Sequence, residues 1–141
     1  MKKITATLLA LVTTAASLLT GCVTRDTGAF VPVNTTVNDR ENHEPIVLMT
    51  AEVQVSVTCS GIQVRTLEDG RLEVNANIRN REGRRIQVQI NCEFKDEQGF
   101  VTEGESPFQN LILTENAQQT VHFVSFNNKA KHFTIRVREA H

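Results

Sequence analysis

The sequence has no Trp, no Tyr and only three Cys among its 141 residues. Without Trp or Tyr, stacking on sugar rings is not expected as a main mode of binding. There is also no G-x-S-x-G motif, no glycine-rich phosphate loop and no recognisable pair of catalytic carboxylates. We therefore expect no enzymatic activity.

The N-terminus has the pattern of an export signal. Met1 is followed by Lys2 and Lys3, and residues 4–19 are uncharged and mostly apolar. The alternative is a membrane anchor, but a spanning helix needs about 20 predominantly apolar residues. From Glu41 onward charged residues recur every few positions, so no second run of that length follows.

The signal ends in Leu19, Thr20, Gly21 and Cys22, which resembles the lipobox of bacterial lipoproteins. That resemblance implies cleavage between Gly21 and Cys22, a diacylglycerol on the Cys22 sulfur and an acyl chain such as palmitate on the new amino group. We expect no other cofactor. The alternative is an ordinary cleavage site with an incidental cysteine. Because Val23 stands where Asp would favour retention in the inner membrane, the same resemblance implies the periplasmic face of the outer membrane.

The chain after the signal divides by composition into a tether and one domain. Loss of Lys2 and Lys3 with the signal changes the net charge from -1 to about -3, which does not suggest a nucleic-acid binder. Residues 22–45 contain the lipidated Cys22 and a stretch rich in Thr, Asn and Asp without periodicity, and we expect a flexible tether. Residues 46–141 are expected to form one domain.

Apolar and polar residues alternate in several stretches of this domain, which predicts half-buried strands. The stretches are AEVQVSVTC (51–59), RLEVNANI (71–78), RIQVQINCEF (85–94) and HFTIRVR (132–138). Residues 62–67 and 111–114 are further candidates, and residues 120–126, apolar on both faces, suggest a central strand or a bulge. Seven or so strands predict an all-β fold, a small antiparallel β-sandwich, with a barrel as the alternative.

Turn signals separate these stretches. Residues 68–70 and 80–83 are predicted hairpin turns, residues 95–99 are another, and residues 127–129 mark the last turn.

Residues 71–138 resemble the YcfL-like family of small envelope lipoproteins. The resemblance rests on NREGRRIQVQINCEFKDEQGF (80–100), in which an Asn-Arg turn precedes a strand, an aromatic residue, and then Asp and Gly. Pro107 with LIL (111–113), and Ala130 followed by FTIRV, extend it. The family implies a periplasm-facing β-sandwich lipoprotein, and it carries no assigned functional residue onto this chain.

The other two cysteines, Cys59 and Cys92, share parity with apolar residues and are expected to point inward. In an oxidising periplasm we predict a disulfide between them, with two separate buried thiols as the alternative. The histidines are His43, His122, His132 and His141. His122 and His132 would converge across a last hairpin, but two ligands leave a zinc site incomplete, so we predict no metal site.

Four arginines cluster around one predicted turn. Arg79, Arg81, Arg84 and Arg85 are candidates for contacting a phosphate or carboxylate on a partner, and the alternative is a solvated turn.

We interpret the protein as a lipid-anchored binding module that serves an envelope protein partner, with an exposed sheet edge as one means of binding. The alternatives are an outer-membrane lipoprotein subunit of a secretion apparatus, and a periplasmic carrier of a small molecule or metal.

Overall fold

The computed structural model describes residues 40–140, which form seven strands in two sheets and two short helices. In chain order these are α1 (Arg40–His43), β1 (Ile46–Leu48), α2 (Ala51–Ser56), β2 (Val57–Thr66), β3 (Leu72–Asn80), β4 (Ile86–Lys95), β5 (Gln109–Leu113), β6 (Gln118–Val124) and β7 (His132–Glu139). The strand orders are β1-β7-β4-β5 and β2-β3-β6. The predicted small β-sandwich is confirmed, with one difference: β1 runs parallel to β7, whereas the other pairs are antiparallel.

The core lies between the inner faces of the two sheets, as the alternation predicts. Leu72, Val74, Ala76 and Ile78 of β3 are all buried, and so is every second residue of β4 from Ile86 to Phe94. The largest fully buried side chains include Phe94, Ile78, Ile90, Leu113 and Ile135. Period-two patterning therefore identified the inward faces of both strands correctly.

The prediction of a strand throughout residues 51–59 is wrong in its first part, because residues 51–56 form α2. Thr50 caps this helix: its side chain accepts a hydrogen bond from the Val53 amide at 3.4 Å. Val53 and Ser56, three residues apart, face inward, whereas Val55 is 69% exposed. The valines alternate as in a strand, but Val53 and Ser56 are also spaced as on one face of a helix, and this is the face that the short helix buries.

Two of the predicted hairpin turns instead connect the two sheets. Residues 81–85 lead from β3 to β4, and residues 125–131 lead from β6 to β7. Residues 67–71 do join neighbouring strands, β2 and β3, and Gly70 adopts a φ of 84° that favours glycine there. Residues 96–99 also form a turn, closed by a bridge between Lys95 and Val101.

The connection from β3 to β4 is held by the fully buried Asn80. Its Nδ2 donates to the carbonyls of Arg84 at 2.7 Å and Thr114 at 2.9 Å, while its Oδ1 accepts from the Glu82 amide at 2.9 Å. The Asn that opens the predicted turn therefore fixes the path of the chain between the sheets.

Residues at the start of the described chain are part of the folded domain. Residues 40–43, assigned from the sequence to the tether, form α1, and the Pro45 carbonyl accepts a hydrogen bond from the Ile135 amide at 2.9 Å. The predicted signal and residues 22–39 lie outside the described residues. Within residues 40–140 no helix has the length and apolar character needed to cross a membrane.

Candidate functional site

The longest strand at an open edge is β2. It pairs with β3 on one side and ends the order β2-β3-β6, and within residues 40–140 no strand pairs with its other side. An unpaired edge presents backbone amides and carbonyls on which a further strand can add. We call the edge backbone of residues 61–66, with the side chains it carries, the β2 edge.

A bulge separates the β2 edge from the start of the strand. The register with β3 shifts between Cys59, opposite Ile78, and Gly61, opposite Asn77. Bulges and charged residues are devices that protect an edge from indiscriminate pairing. Residues 61–66 run in continuous register beyond the bulge and span roughly 20 Å, at about 3.3 Å per residue. That length suits one short extended segment of a partner.

The side chains of the β2 edge are only partly covered on the inner face and are exposed on the outer face. Ile62 and Val64 have the parity of the inner face, yet Ile62 is only partly buried and Val64 is 45% exposed. Gln63 and Arg65 lie on the outer face and are exposed. A strand added here would cover apolar surface on one face and meet polar groups on the other.

Nearer the bulge, a groove lies between the edge strands of the two sheets. It has a volume of about 390 Å³ and is lined by all three residues of β1 and by Thr58 and Cys59 of β2. Arg40 and Glu44 supply the charged part of its wall. The groove gives a side chain of an added segment space that a flat edge would not provide.

A charge cluster stabilises the outer face beside the edge. The Glu73 carboxylate of β3 pairs with Arg65 of β2 and lies 2.8 Å from Nε2 of His122 on β6. The Glu73 side chain is 8% exposed, against 64% for Arg65 and 55% for His122. The hydrogen bond from Arg65, then that from His122, lowers the pKa of Glu73 to about 2, and Glu73 in turn raises the pKa of Arg65. The cluster links all three strands of this sheet.

Sequence reasoning missed this cluster. Parity places Glu73 and His122 on polar faces, but only the strand order and register bring them together with Arg65. No short motif marks the three residues.

The arginines of the predicted cluster lie in different surroundings in the structure. Arg79, Arg81, Arg84 and Arg85 are all exposed, and Arg84 pairs with Glu82. Arg84 and Arg85 line a cavity of about 360 Å³, but Glu52, Glu82 and Glu139 line it too. Arg79 lies instead on β3, opposite Gln118 of β6. The contact of these four side chains with a phosphate or carboxylate of a partner stays a prediction.

The predicted disulfide is not formed, since Cys59 and Cys92 are both free thiols. They lie on strands of different sheets: Cys59 is partly buried, with Sγ 3.5 Å from the Gly61 carbonyl, and Cys92 is fully buried. Burial raises the pKa of Cys92 to about 12, so this thiol is unreactive. Of the alternative, two separate buried thiols, the separation describes both cysteines, and full burial describes Cys92 but not Cys59.

The predicted convergence of His122 and His132 is also wrong, because β6 and β7 belong to different sheets. His132 lies opposite Lys95 of β4, and His43 is exposed on α1. Among residues 40–140 no group of three or more His, Cys, Asp or Glu side chains is placed to hold a metal ion. Gly21, Cys22 and His141 lie outside the described residues.

Two solved structures share this fold. The Campylobacter jejuni protein cj0090 is 17% identical, with a TM-score of 0.58 over 68% of this chain and 98% of that one. A DUF1425 family member from Shewanella sp. pv-4 is 26% identical, with a TM-score of 0.54 over 60% of this chain and 79% of that one. A search of the curated proteins finds no match.

A family model described as "Protein of unknown function (DUF1425)" matches residues 44–139, which include every strand of the sandwich. The match also includes the stretch on which the resemblance to YcfL-like lipoproteins rests. The chain therefore belongs to the DUF1425 family of proteins of unknown function.

Proposed function

We propose that the protein is a lipid-anchored binding module that holds an extended segment of an envelope protein against the β2 edge. The observation that carries the binding part is a six-residue open edge in continuous register, with Val64 45% exposed beside it. Addition of a strand would complete the backbone hydrogen bonds of β2 and cover Val64. On this proposal the domain is not an enzyme and needs no cofactor.

The anchoring part of the proposal rests on the sequence. A basic start, an apolar run and the lipobox-like Leu19 to Cys22 support cleavage before Cys22 and its acylation. With Val23 after Cys22, we place the domain at the periplasmic face of the outer membrane. Within the DUF1425 family, the turn and strand at residues 80–100 favour the YcfL-like lipoproteins.

The anchor is tested by replacing Cys22. Cells that express Cys22→Ser should yield an unprocessed chain that takes up no labelled palmitate, whereas Cys59→Ser should still be labelled and processed. Labelling of the Cys22→Ser chain would contradict the anchor.

Binding at the β2 edge is tested by site-specific photocrosslinking in intact cells. A photoreactive residue at Gln63 should give a discrete adduct, and the same residue at Asn110 of β5 should not; both positions are exposed. Val64→Lys places a charge on the inner side of the edge and should abolish the Gln63 adduct.

Ile112→Lys is the matched control for Val64→Lys, because Ile112 is 47% exposed and lies on β5, at an edge of the other sheet. It should leave the Gln63 adduct unchanged. Equal adducts from Gln63 and Asn110, or an adduct that survives Val64→Lys, would contradict binding at the β2 edge.

A further inference from the structure

One end of the sandwich carries three loops and also receives the chain from the N-terminal side. β4 and β6 end there and β7 begins there, so residues 67–71, 96–103 and 125–131 lie together. α1 is held at the same end: Lys95 Nζ donates to the Glu41 carbonyl, and so does Thr134 Oγ1, at 2.7 Å. We call this the loop end. The opposite end carries α2 and the end of β7.

Two phenylalanines project from the loop end. Phe126 is 78% exposed and Phe100 is 72% exposed, the highest values among the exposed large apolar side chains of residues 40–140. Val101, 48% exposed, follows Phe100. Exposed aromatic side chains gathered on neighbouring loops indicate a surface that contacts something apolar.

Both phenylalanines are held in place by their loops. Asp96 Oδ1 accepts from the Phe100 amide at 2.9 Å, and Glu103 Oε2 accepts from the Phe126 amide at 2.6 Å. Asn127 Nδ2 donates to the Thr102 carbonyl at 2.9 Å, which ties the two loops to each other. The apolar tips are therefore preorganised, and little conformational freedom is lost when they are covered.

Two exposed lysines lie close to one of these tips. Lys129 and Lys131 follow Phe126 in the same connection. Of the carboxylates on these loops, Asp96 and Glu103 are bonded to loop amides and Asp69 pairs with Arg71, while Glu68 and Glu97 are exposed. Aromatic tips with lysines behind them match the boundary between acyl chains and phosphate headgroups.

We propose that the loop end lies in the interfacial layer of the membrane that holds the Cys22 lipid, with Phe100 and Phe126 inserted among the headgroups. This inference rests on the proposed anchor. Residues 23–39 can extend at most about 60 Å, and they join the domain at the loop end, so the anchor keeps these side chains at high effective concentration beside the bilayer.

Insertion at the loop end also orients the binding edge. β2 runs from Val57, at the end opposite the loops, to Thr66, beside the loop end. The β2 edge would then rise from the membrane surface toward the periplasm, where a partner segment can reach it.

The chain has no Trp, so Phe126→Trp introduces a single fluorophore. The mature chain, purified from cells that express the full sequence, is reconstituted into phosphatidylethanolamine–phosphatidylglycerol vesicles, with and without brominated acyl chains. We expect blue-shifted emission that bromine roughly halves, because an interfacial side chain reaches the edge of the acyl region. Phe100→Trp should respond in the same way. Val55→Trp is the control, since Val55 is 69% exposed on α2 at the opposite end, and it should be neither shifted nor quenched.

Whether the chain floats with the same vesicles in a density gradient tests the anchor independently of the Trp emission. If the Phe126→Trp and Phe100→Trp chains float but their emission matches that of the Val55→Trp chain, membrane insertion is overturned and the anchor still stands. A chain that stays in the soluble fraction contradicts the anchor, and this inference with it. If the emission is unchanged in vesicles while a photoreactive residue at Phe126 gives a discrete protein adduct in intact cells, membrane insertion is also overturned, and the tips contact a protein.

Discussion

The outer faces of the two sheets are built differently. The outer face of the four-stranded sheet is covered by α1 and by residues 103–108, and it buries charged groups: the Arg136 side chain is 10% exposed and Lys95 is 5% exposed. No part of residues 40–140 covers the outer face of the three-stranded sheet in this way, and Arg65 and His122 remain mostly in water around the buried Glu73.

The difference shows what a covered polar face requires. The buried Arg136 has fixed partners: it contacts Glu93 at 3.1 Å, Glu105 at 2.8 Å and Asn91 at 3.1 Å. Such pairs specify one arrangement of the cover, and breaking one leaves a buried charge without compensation. On the uncovered face Glu73 is buried, but its partners Arg65 and His122 are mostly exposed, so each of these pairs contributes less to stability than a pair buried on both sides.

The largest expected effect is at Arg136. Arg136→Met keeps most of the side-chain volume but leaves the Glu93 carboxylate, 14% exposed, without its cationic partner. We expect the free energy of unfolding to fall by about 3–5 kcal/mol, measured by chemical denaturation.

Arg65→Met is the comparison on the uncovered face. Glu73 loses Arg65 there but keeps His122 at 2.8 Å, so the free energy of unfolding should fall by less than in Arg136→Met. Combining Arg136→Met with Glu93→Met removes both charges and should restore most of the lost stability. Equal losses at Arg136 and Arg65 would remove the distinction between the two faces.

Lys95 is expected to show the next largest effect, because it fastens α1 to the covered face. Its Nζ donates to Thr134 Oγ1 at 3.1 Å as well as to the Glu41 carbonyl. Lys95→Met should cost about 1–3 kcal/mol and speed hydrogen exchange at the Glu44 amide, which bonds to the Arg40 carbonyl of α1. Exposed Lys131→Met is the control. Unchanged exchange at Glu44 would show that α1 does not depend on Lys95.

The sequence predicted the inner faces far better than the outer ones. Strict alternation predicted the apolar faces of β3 and β4, because a strand that is buried on one side has an apolar residue at every second position. It failed at α2, where the Thr50 cap and the inward Val53 and Ser56 favour a helical turn. It also placed β3 and β4 in one hairpin, because a turn motif does not encode which sheet receives the next strand.

The outer faces depend on contacts between residues far apart in the chain. Parity suggests that Asn91 and Arg136 point toward water, yet both are buried because residues 103–108, which carry no periodic pattern, fold over them. The β2 edge is no more visible in the sequence, since an edge is defined by the absence of a neighbouring strand. The local sequence pattern of a strand therefore shows which of its faces is apolar, but it does not show what covers the other face.

A smaller effect is expected at Phe108, whose ring contributes to the cover. The Arg138 guanidinium lies 3.8 Å from the ring centre and that of Arg136 lies 5.5 Å away. Phe108→Ala should lower the free energy of unfolding by about 1–2 kcal/mol through loss of these cation–π contacts and of apolar area. Exposed Phe100→Ala should leave stability unchanged. A larger loss at Phe100 than at Phe108 would contradict this account of the cover.

The smallest effect is expected on the uncovered face and is visible only as a function of pH. The pKa of Glu73 is held at about 2, below the value near 4.3 of an unfolded chain, mainly by Arg65 and then by His122. A lowered pKa in the folded state stabilises the protein above the unfolded pKa, and this contribution is lost as the pH falls from about 4.3 toward 2. Between pH 5 and pH 2 the native chain should therefore lose more thermal stability than Glu73→Gln, with exposed Glu97→Gln following the native chain. If Glu73→Gln followed the native chain instead, the acid sensitivity would not come from Glu73.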